Sequence, residues 1–342
     1  MSAGDDDGVH PRPLRFPADF GAHPETRTEW WYITGTLVAG DRLHGFQITF
    51  FRSRTQVPST HPSRFAASQL VFAHAAVSDV AQRRLRHDQR IARAGFGIAQ
   101  AARGDTAVVL RDWGLTRDGP NENSVYRAHA ASESAGFFFD LTLATTQPVL
   151  LQGDAGYSRK GPLPDEASHY YSQPQLAASG RLALDGRTMQ VTGRAWLDHE
   201  WSDTLLDPQA VGWDWIGMNL DDGGALTAFR LRRADGSTLW AGGSFRAGGR
   251  AVRNFAPAEV RFTPGRIWHS AASRANYPVQ WTVDTPVGRF TVKALFGPQE
   301  LDSRASTGSV YWEGLSDLHD ERGQRVGRGY LEMTGYAGAL KL

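Results

Sequence analysis

Cysteine is absent from all 342 residues. Its absence excludes disulfides, thiolate metal sites and a cysteine nucleophile, and leaves the redox compartment open. No apolar run approaches the ~20 residues that a membrane-spanning helix needs. Charge of one sign is not concentrated either: 37 Lys and Arg against 36 Asp and Glu leave a formal net charge of +1. With no basic run, a nucleic-acid partner is not expected. Familiar catalytic signatures are missing as well. His199-Glu200 is followed by Trp201, Ser202 and Asp203, so the two-histidine zinc helix is not formed, and neither a metal nor another cofactor is expected. Gly95-Phe96-Gly97 lacks the third glycine of a dinucleotide loop, and Gly156-Tyr157-Ser158-Arg159-Lys160 fails the nucleophile-elbow pattern at its last position.

What is present is an aromatic, glycine-rich chain, with 11 Trp and 37 Gly and little helical periodicity. This composition points to β structure. One strand signature is written twice. Trp30-Trp31-Tyr32-Ile33 returns as Trp213-Asp214-Trp215-Ile216, and Gly193-Arg194-Ala195-Trp196-Leu197-Asp198 reads like Gly327-Arg328-Gly329-Tyr330-Leu331-Glu332. Strand patterns fall near 29–38, 43–52, 69–79, 106–113, 123–130, 136–145, 176–184 and 188–199, and again near 211–220, 225–233, 238–245, 257–263, 279–284, 288–296, 309–318 and 325–334. Arg52 to Ser68 reads as a long mobile loop, and Gln152 to Gln175 is too long for a mere turn. About eight antiparallel strands per half can close into a barrel with room for one small apolar ligand. The expected fold is therefore all-β, two consecutive lipocalin-like antiparallel barrels from an internal duplication, with a pair of β-sandwiches as the alternative. The expected divisions are a flexible segment over 1–19, a first barrel over 20–205 and a second over 206–342.

If the copies share a scaffold, function is sought where they differ. Alternation on a strand puts Leu197, His199, Trp201 and Asp203 on one face and Trp196, Asp198 and Glu200 on the other. The second copy has Met333 in place of His199 and Gly335 in place of Trp201. Glu29 shares parity with Trp31 and Ile33, and Asp214 with Ile216 and Met218. A carboxyl on an interior face would have its pKa raised by desolvation, as a general acid requires. An ion pair with an arginine is the other reading, and for Glu29 the favoured one. The expected catalytic pair is thus Asp214 and His199, and the expected substrate-binding set is Trp201, Tyr170, Glu29, Trp31, Asp198, Glu200 and Trp213. Core filling remains the simpler role for most of the aromatic residues.

At Glu29-Trp30-Trp31-Tyr32, Asp198-His199-Glu200-Trp201-Ser202 and Tyr330-Leu331-Glu332-Met333-Thr334-Gly335-Tyr336, the chain resembles the carotenoid 1,2-hydratase superfamily of lipocalin-like, "predicted secreted hydrolase" proteins. The resemblance runs from about residue 16 to the end and implies two lipocalin-like barrels. It also implies a cofactor-independent hydratase or lyase that protonates an alkene of a hydrophobic isoprenoid or lipid-like substrate and adds water. His199-x-Trp201 matches the His-x-Trp pair of those hydratases, whereas Asp214 as acid rests on parity alone. A non-catalytic periplasmic carrier of lipid or another apolar ligand, working with a transporter, is the alternative. The expected partner is a hydrophobic small molecule, the expected state a monomer, and association with a membrane surface or transporter follows from the same resemblance. The polar start Met1-Ser2-Ala3-Gly4-Asp5-Asp6-Asp7 suits a mature periplasmic or secreted protein whose leader has been removed, and suits a cytosolic one equally.

Overall fold

A computed structural model describes residues 9–58, 60–204, 206–248 and 250–340. Each half of the chain builds its own antiparallel sheet. The first runs in the order Arg84–Arg93, Gln69–Asp79, Arg42–Arg54, Thr28–Ala39, Arg187–Ser202, Ala167–Leu184, Phe137–Ala144, Val125–Ser132, Trp113–Asp118, Ala107–Leu110 and Ala99–Ala101. Contacts between its two ends curl it into a barrel, which shelters edges that would otherwise recruit another strand. The second runs Arg253–Phe255, Thr238–Arg246, Ala225–Arg232, Gly212–Leu220, Arg325–Met333, Ser309–His319, Gly288–Ala294, Gln280–Thr285 and Arg261–Pro264.

The written repeat is a structural one. Thr28–Ala39 lies between Arg42–Arg54 and Arg187–Ser202, just as Gly212–Leu220 lies between Ala225–Arg232 and Arg325–Met333. Registers match residue for residue: Trp31 sits opposite His199 and Ile33 opposite Leu197, while Asp214 sits opposite Met333 and Ile216 opposite Leu331. The all-β, duplicated lipocalin-like architecture expected from the sequence is the one formed. The main omission was Arg84–Arg93, whose run of arginines hides its alternation. The stretch from Gln152 to Gln175 supplies the short strand Tyr157–Arg159 and the start of Ala167–Leu184.

The segment expected to be flexible over 1–19 differs from that reading in its described part. Val9 and Asp19 are buried, Asp19 binds the Arg12 guanidinium through two hydrogen bonds of 2.8 Å, and the Phe16 ring packs edge-on against Tyr171. Proline spacing in the sequence says nothing of these long-range partners. Residues 1–8 lie outside the described residues.

Each barrel interior is filled by one alternate set of side chains. Trp31, Ile33, Phe46, Ile48, Phe50, Tyr171, Leu197 and Trp201 belong to the first core, and Ile216, Met218, Trp281, Trp312 and Leu331 to the second. The opposite set makes a third cluster where the barrels meet, including Tyr32, Trp196, Trp215, Phe229, Leu315 and Tyr330. The approach is close. A Cβ added at Gly45 would come within 2.5 Å of the Tyr330 hydroxyl, so only glycine lets the strand backbone lie there. Hydrogen bonds from Gln175 N to Asn219 Oδ1 (2.8 Å), from Ser244 Oγ to Gln152 Oε1 (2.7 Å) and from Ser78 Oγ to Gln299 Oε1 (3.0 Å) fix the barrels together.

Candidate functional site

Because each central strand sends alternate residues outward, the outer faces of the two barrels enclose a cavity of about 580 Å³ between them. That volume lies within the roughly 300–1,000 Å³ usual for small-molecule sites. Equivalent strands furnish equivalent walls: Trp30 and Tyr32 are matched by Trp213 and Trp215, Tyr170 by Tyr311, and Asp198 by Glu332, all lining the cavity. These correspond through the same registers, since Asp198 pairs with Tyr32 and Glu332 with Trp215.

Five carboxyl residues line this cavity, Glu29 at its edge and Asp198, Glu200, Glu313 and Glu332 along its walls. Asp198 is buried and accepts hydrogen bonds from Ser172 Oγ (2.5 Å), Trp196 Nε1 (2.7 Å) and Tyr170 Oη (2.9 Å). Burial outweighs these donors and pushes its pKa up to about 7. Glu332 accepts from Trp213 Nε1 at 3.0 Å and is likewise raised to about 7, mainly by burial, with the charges of Asp198 and Glu200 adding to the shift. Its cross-strand partner Glu313 is held well above the carboxylate range by burial first and by the Glu332 charge next. While Glu332 is ionised, Glu313 resists losing its proton. Glu200 has Lys160 Nζ 3.0 Å away and accepts a hydrogen bond from Ser168 Oγ at 2.5 Å. Beside Glu313, the Tyr32 and Gln47 side chains hydrogen-bond to its carboxyl only loosely, leaving the Tyr32 hydroxyl, Gln47 Oε1 and Glu313 Oε1 buried without a close hydrogen-bond partner among the described residues. Such groups cost free energy unless a ligand or water satisfies them.

The expected catalytic pair does not assemble. His199 lies inside the first barrel, stacked on Trp31 at 4.6 Å, with Nε2 2.9 Å from Glu29 Oε1 and Nδ1 3.1 Å from the Tyr171 hydroxyl. Asp214 lies inside the second barrel, accepting from Arg230 Nε at 2.7 Å and from the Tyr336 hydroxyl at 2.8 Å. Neither lines the cavity. The reason is parity: both residues sit on inward faces, and the two inward faces belong to different barrels. Asp214 is therefore an ion-paired structural carboxylate, and Asp214→Asn is expected to lower stability by about 2 kcal/mol. A denaturant titration beside a ligand-binding assay checks this, and the ligand site should be undisturbed.

The expected binding set divides in the same way. Tyr170, Asp198, Glu200 and Trp213 line the cavity. Trp201 and Trp31 do not; they are core residues, with Trp201 stacked on His23 at 3.8 Å. Glu29 is fully buried at the cavity's edge, bound by Arg52 Nε at 2.7 Å and His23 Nδ1 at 2.8 Å. His23, Glu29 and His199 place three donor atoms within 4.8 Å of one another, so they are the described residues that could hold a metal ion. Arg52, however, sets a fixed positive charge on the second Glu29 oxygen, and each of the three donor atoms is already engaged in a hydrogen bond. The cluster suits shared protons better than a cation.

Sequence reading passes over Glu313 and Glu332 as site residues and favours core filling over pocket lining for Tyr32, Tyr311 and Trp215. A signal existed for most of them, because the rhyme of Asp198 with Glu332 and of Tyr32 with Trp215 is a conserved outward face within the duplication itself.

The comparisons with known proteins agree with this architecture. The chain matches an AttH protein from Nitrosomonas europaea with 47% identity and a TM-score of 0.88, over 96% of this chain and 98% of that one. Kievitone hydratase from Nectria haematococca shares the fold at 15% identity and a TM-score of 0.72, covering 95% of this chain and 94% of that one. CghA, at 12% identity and a TM-score of 0.54, covers 90% of this chain and 88% of its own. No curated protein sequence matches. A family model described as AttH-like spans residues 7–336, and the chain belongs to that AttH-like family.

Proposed function

We propose that the cavity between the barrels hydrates an alkene of an isoprenoid or lipid-like molecule without a cofactor. What carries the reading is the convergence of three buried carboxyls, all pushed up from the ordinary carboxylate range, on one aromatic-walled cavity. The fold shared with kievitone hydratase supports the same class of reaction.

Glu313, the carboxyl most strongly held protonated, gives its proton to one alkene carbon. A tertiary cation results at the other carbon. The faces of Trp215, Tyr32 and Phe229, all cavity residues, stabilise it through their ring quadrupoles. Water adds to the cation, and Asp198, oriented by Tyr170, Ser172 and Trp196, takes the proton that water loses. Glu332 returns a proton to Glu313 across the strand pair, and the proton taken by Asp198 passes through cavity water to Glu332, so that each carboxyl ends as it began.

Two ionisations of opposite effect follow. Turnover is expected to rise as pH passes through about 7, where Asp198 becomes a carboxylate, and to fall at higher pH as Glu313 loses its proton. In Asp198→Asn the acidic limb should vanish along with most of the activity; kcat/KM measured across pH checks this.

The test of the reaction itself is incubation with a panel of prenylated phenols and acyclic isoprenoids in isotopically labelled water. A product heavier by one labelled water supports the proposal. Retention of an unchanged ligand would instead assign the cavity to an apolar carrier, and no binding at all would sink both readings.

A further inference from the structure

Large apolar side chains exposed to solvent are few, and four of the eight among the described residues, Phe65, Ile91, Phe96 and Ile98, come from two short segments that meet on the first barrel. Phe65 is 66% exposed and Phe96 47%. Their rings nonetheless stack on each other, with centroids 5.5 Å apart and planes at 11°. The Arg93 guanidinium lies 4.3 Å from the Phe96 ring and 5.2 Å from the Phe65 ring, and Arg64 lies 5.6 Å from Phe96. Phe96 has a φ of 59° between Gly95 at 106° and Gly97 at 70°. Left-handed backbone is costly for an aromatic residue, so a turn that keeps a phenylalanine there and points it at water calls for a partner.

The charge around this tip is one-sided. Residues 54–68 and 90–103 contain Arg54, Arg64, Arg90, Arg93 and Arg103 and no Asp or Glu. Arg54, Arg90 and Arg103 find carboxylates elsewhere, at Asp203, Asp88 and Glu25. Arg64 and Arg93 sit on the rings. The patch is also continuous with the cavity. Arg93 pairs with Leu70, Ile91 with Phe72, and Phe72 with Phe51, and paired residues share a face. Leu70, Phe72, Phe51 and Ile91 all line the cavity, and the Phe51 and Phe72 rings stack at 4.7 Å. An apolar row therefore runs from the exposed phenylalanines to the cavity wall.

We propose that this tip docks on an anionic phospholipid surface, inserting Phe65 and Phe96 between headgroups with Arg64 and Arg93 on lipid phosphates. The apolar row would then lead from the bilayer to the cavity. Docking rests on the patch alone and does not require that the cavity be catalytic.

The experiment is cosedimentation of the full chain with phosphatidylglycerol–phosphatidylcholine vesicles and with phosphatidylcholine vesicles. Binding to the anionic vesicles, weakened as ionic strength rises, is the expected result. Phe65→Ser with Phe96→Ser should weaken it at least about tenfold, since both apolar contacts are lost. Arg64→Gln with Arg93→Gln should cost about fivefold per arginine, roughly twenty-five-fold together. Ile267→Ser, an exposed apolar residue on the second barrel, should leave binding unchanged, and near-UV circular dichroism should show all three variants folded. Absence of binding, equal binding to both vesicles, or full binding by the phenylalanine variant would overturn the proposal. So would concentration-dependent self-association that the same variant abolishes, which would identify the occupant as a second copy of this chain.

Discussion

Glu313→Gln is expected to reduce turnover on a hydratable alkene by about 10²–10⁴-fold, the range in which a positioned general acid contributes. The amide keeps the shape of the side chain but has no acidic proton to give. Stability should hold or improve, because burying a carboxyl against the Glu332 charge works against folding. The alkaline fall that ionisation of Glu313 gives the wild type should be lost, so the alkaline end of the pH profile of the residual activity should shift to higher pH. A merely structural Glu313 would produce no such shift. Single-turnover rates, a denaturant titration and the pH profile together separate the roles. Unchanged turnover in a folded Glu313→Gln would remove Glu313 from the chemistry.

Glu29→Leu should be the most destabilising single change, by about 3–5 kcal/mol, the penalty for breaking a buried ion pair from one side. Glu29 is fully buried, and the Arg52 side chain facing it is only 2% exposed. Removing the carboxylate leaves that guanidinium with neutral partners only, the Gln69 side chain and the backbone and hydroxyl oxygens of Thr26, and strips His23 and His199 of a shared acceptor. The network has a pH window of known sign. The hydrogen bonds of His199 and His23 hold Glu29 below the ordinary carboxylate range even though burial opposes this. Its contribution is therefore present above that range and fades as pH falls through its folded value. Hydrogen bonds to Asp19 and Glu29 raise His23 against its own burial, so its contribution is full below the ordinary imidazole range and is lost as pH rises through its folded value. Unfolding of wild type and Glu29→Leu from acid to alkaline pH should show the difference between them largest between the two ranges.

The role this gives the most conspicuous string in the chain was not visible in one dimension. Asp198-His199-Glu200-Trp201 looks like a single site, yet strand alternation sends His199 and Trp201 into the first core and Asp198 and Glu200 into the cavity. The parity was legible; which parity faced a ligand was not. A lipocalin-like barrel suggests that the inward face holds the ligand, but here Trp31, Phe50, Tyr171 and Trp201 fill that space. In the sequence the difference between the copies reads as a functional mark. His199 and Met333 instead reflect two ways of filling a core, one polar and one apolar. What both copies keep on their outward faces, Asp198 with Glu332, Tyr170 with Tyr311 and Tyr32 with Trp215, is what meets in the cavity.

Local sequence determined the strands, the duplication and the face each residue occupies, because alternation and turn chemistry act over a few residues and repeat when the chain repeats itself. The docking of one barrel on the other was decided only in three dimensions. It depends on complementary outward surfaces hundreds of residues apart in places, such as Gln47 against Tyr311 at 3.2 Å. That docking turned two solvent-facing rows of carboxyls and rings into one buried site, and burial in turn raised the proton affinities on which the proposed chemistry rests.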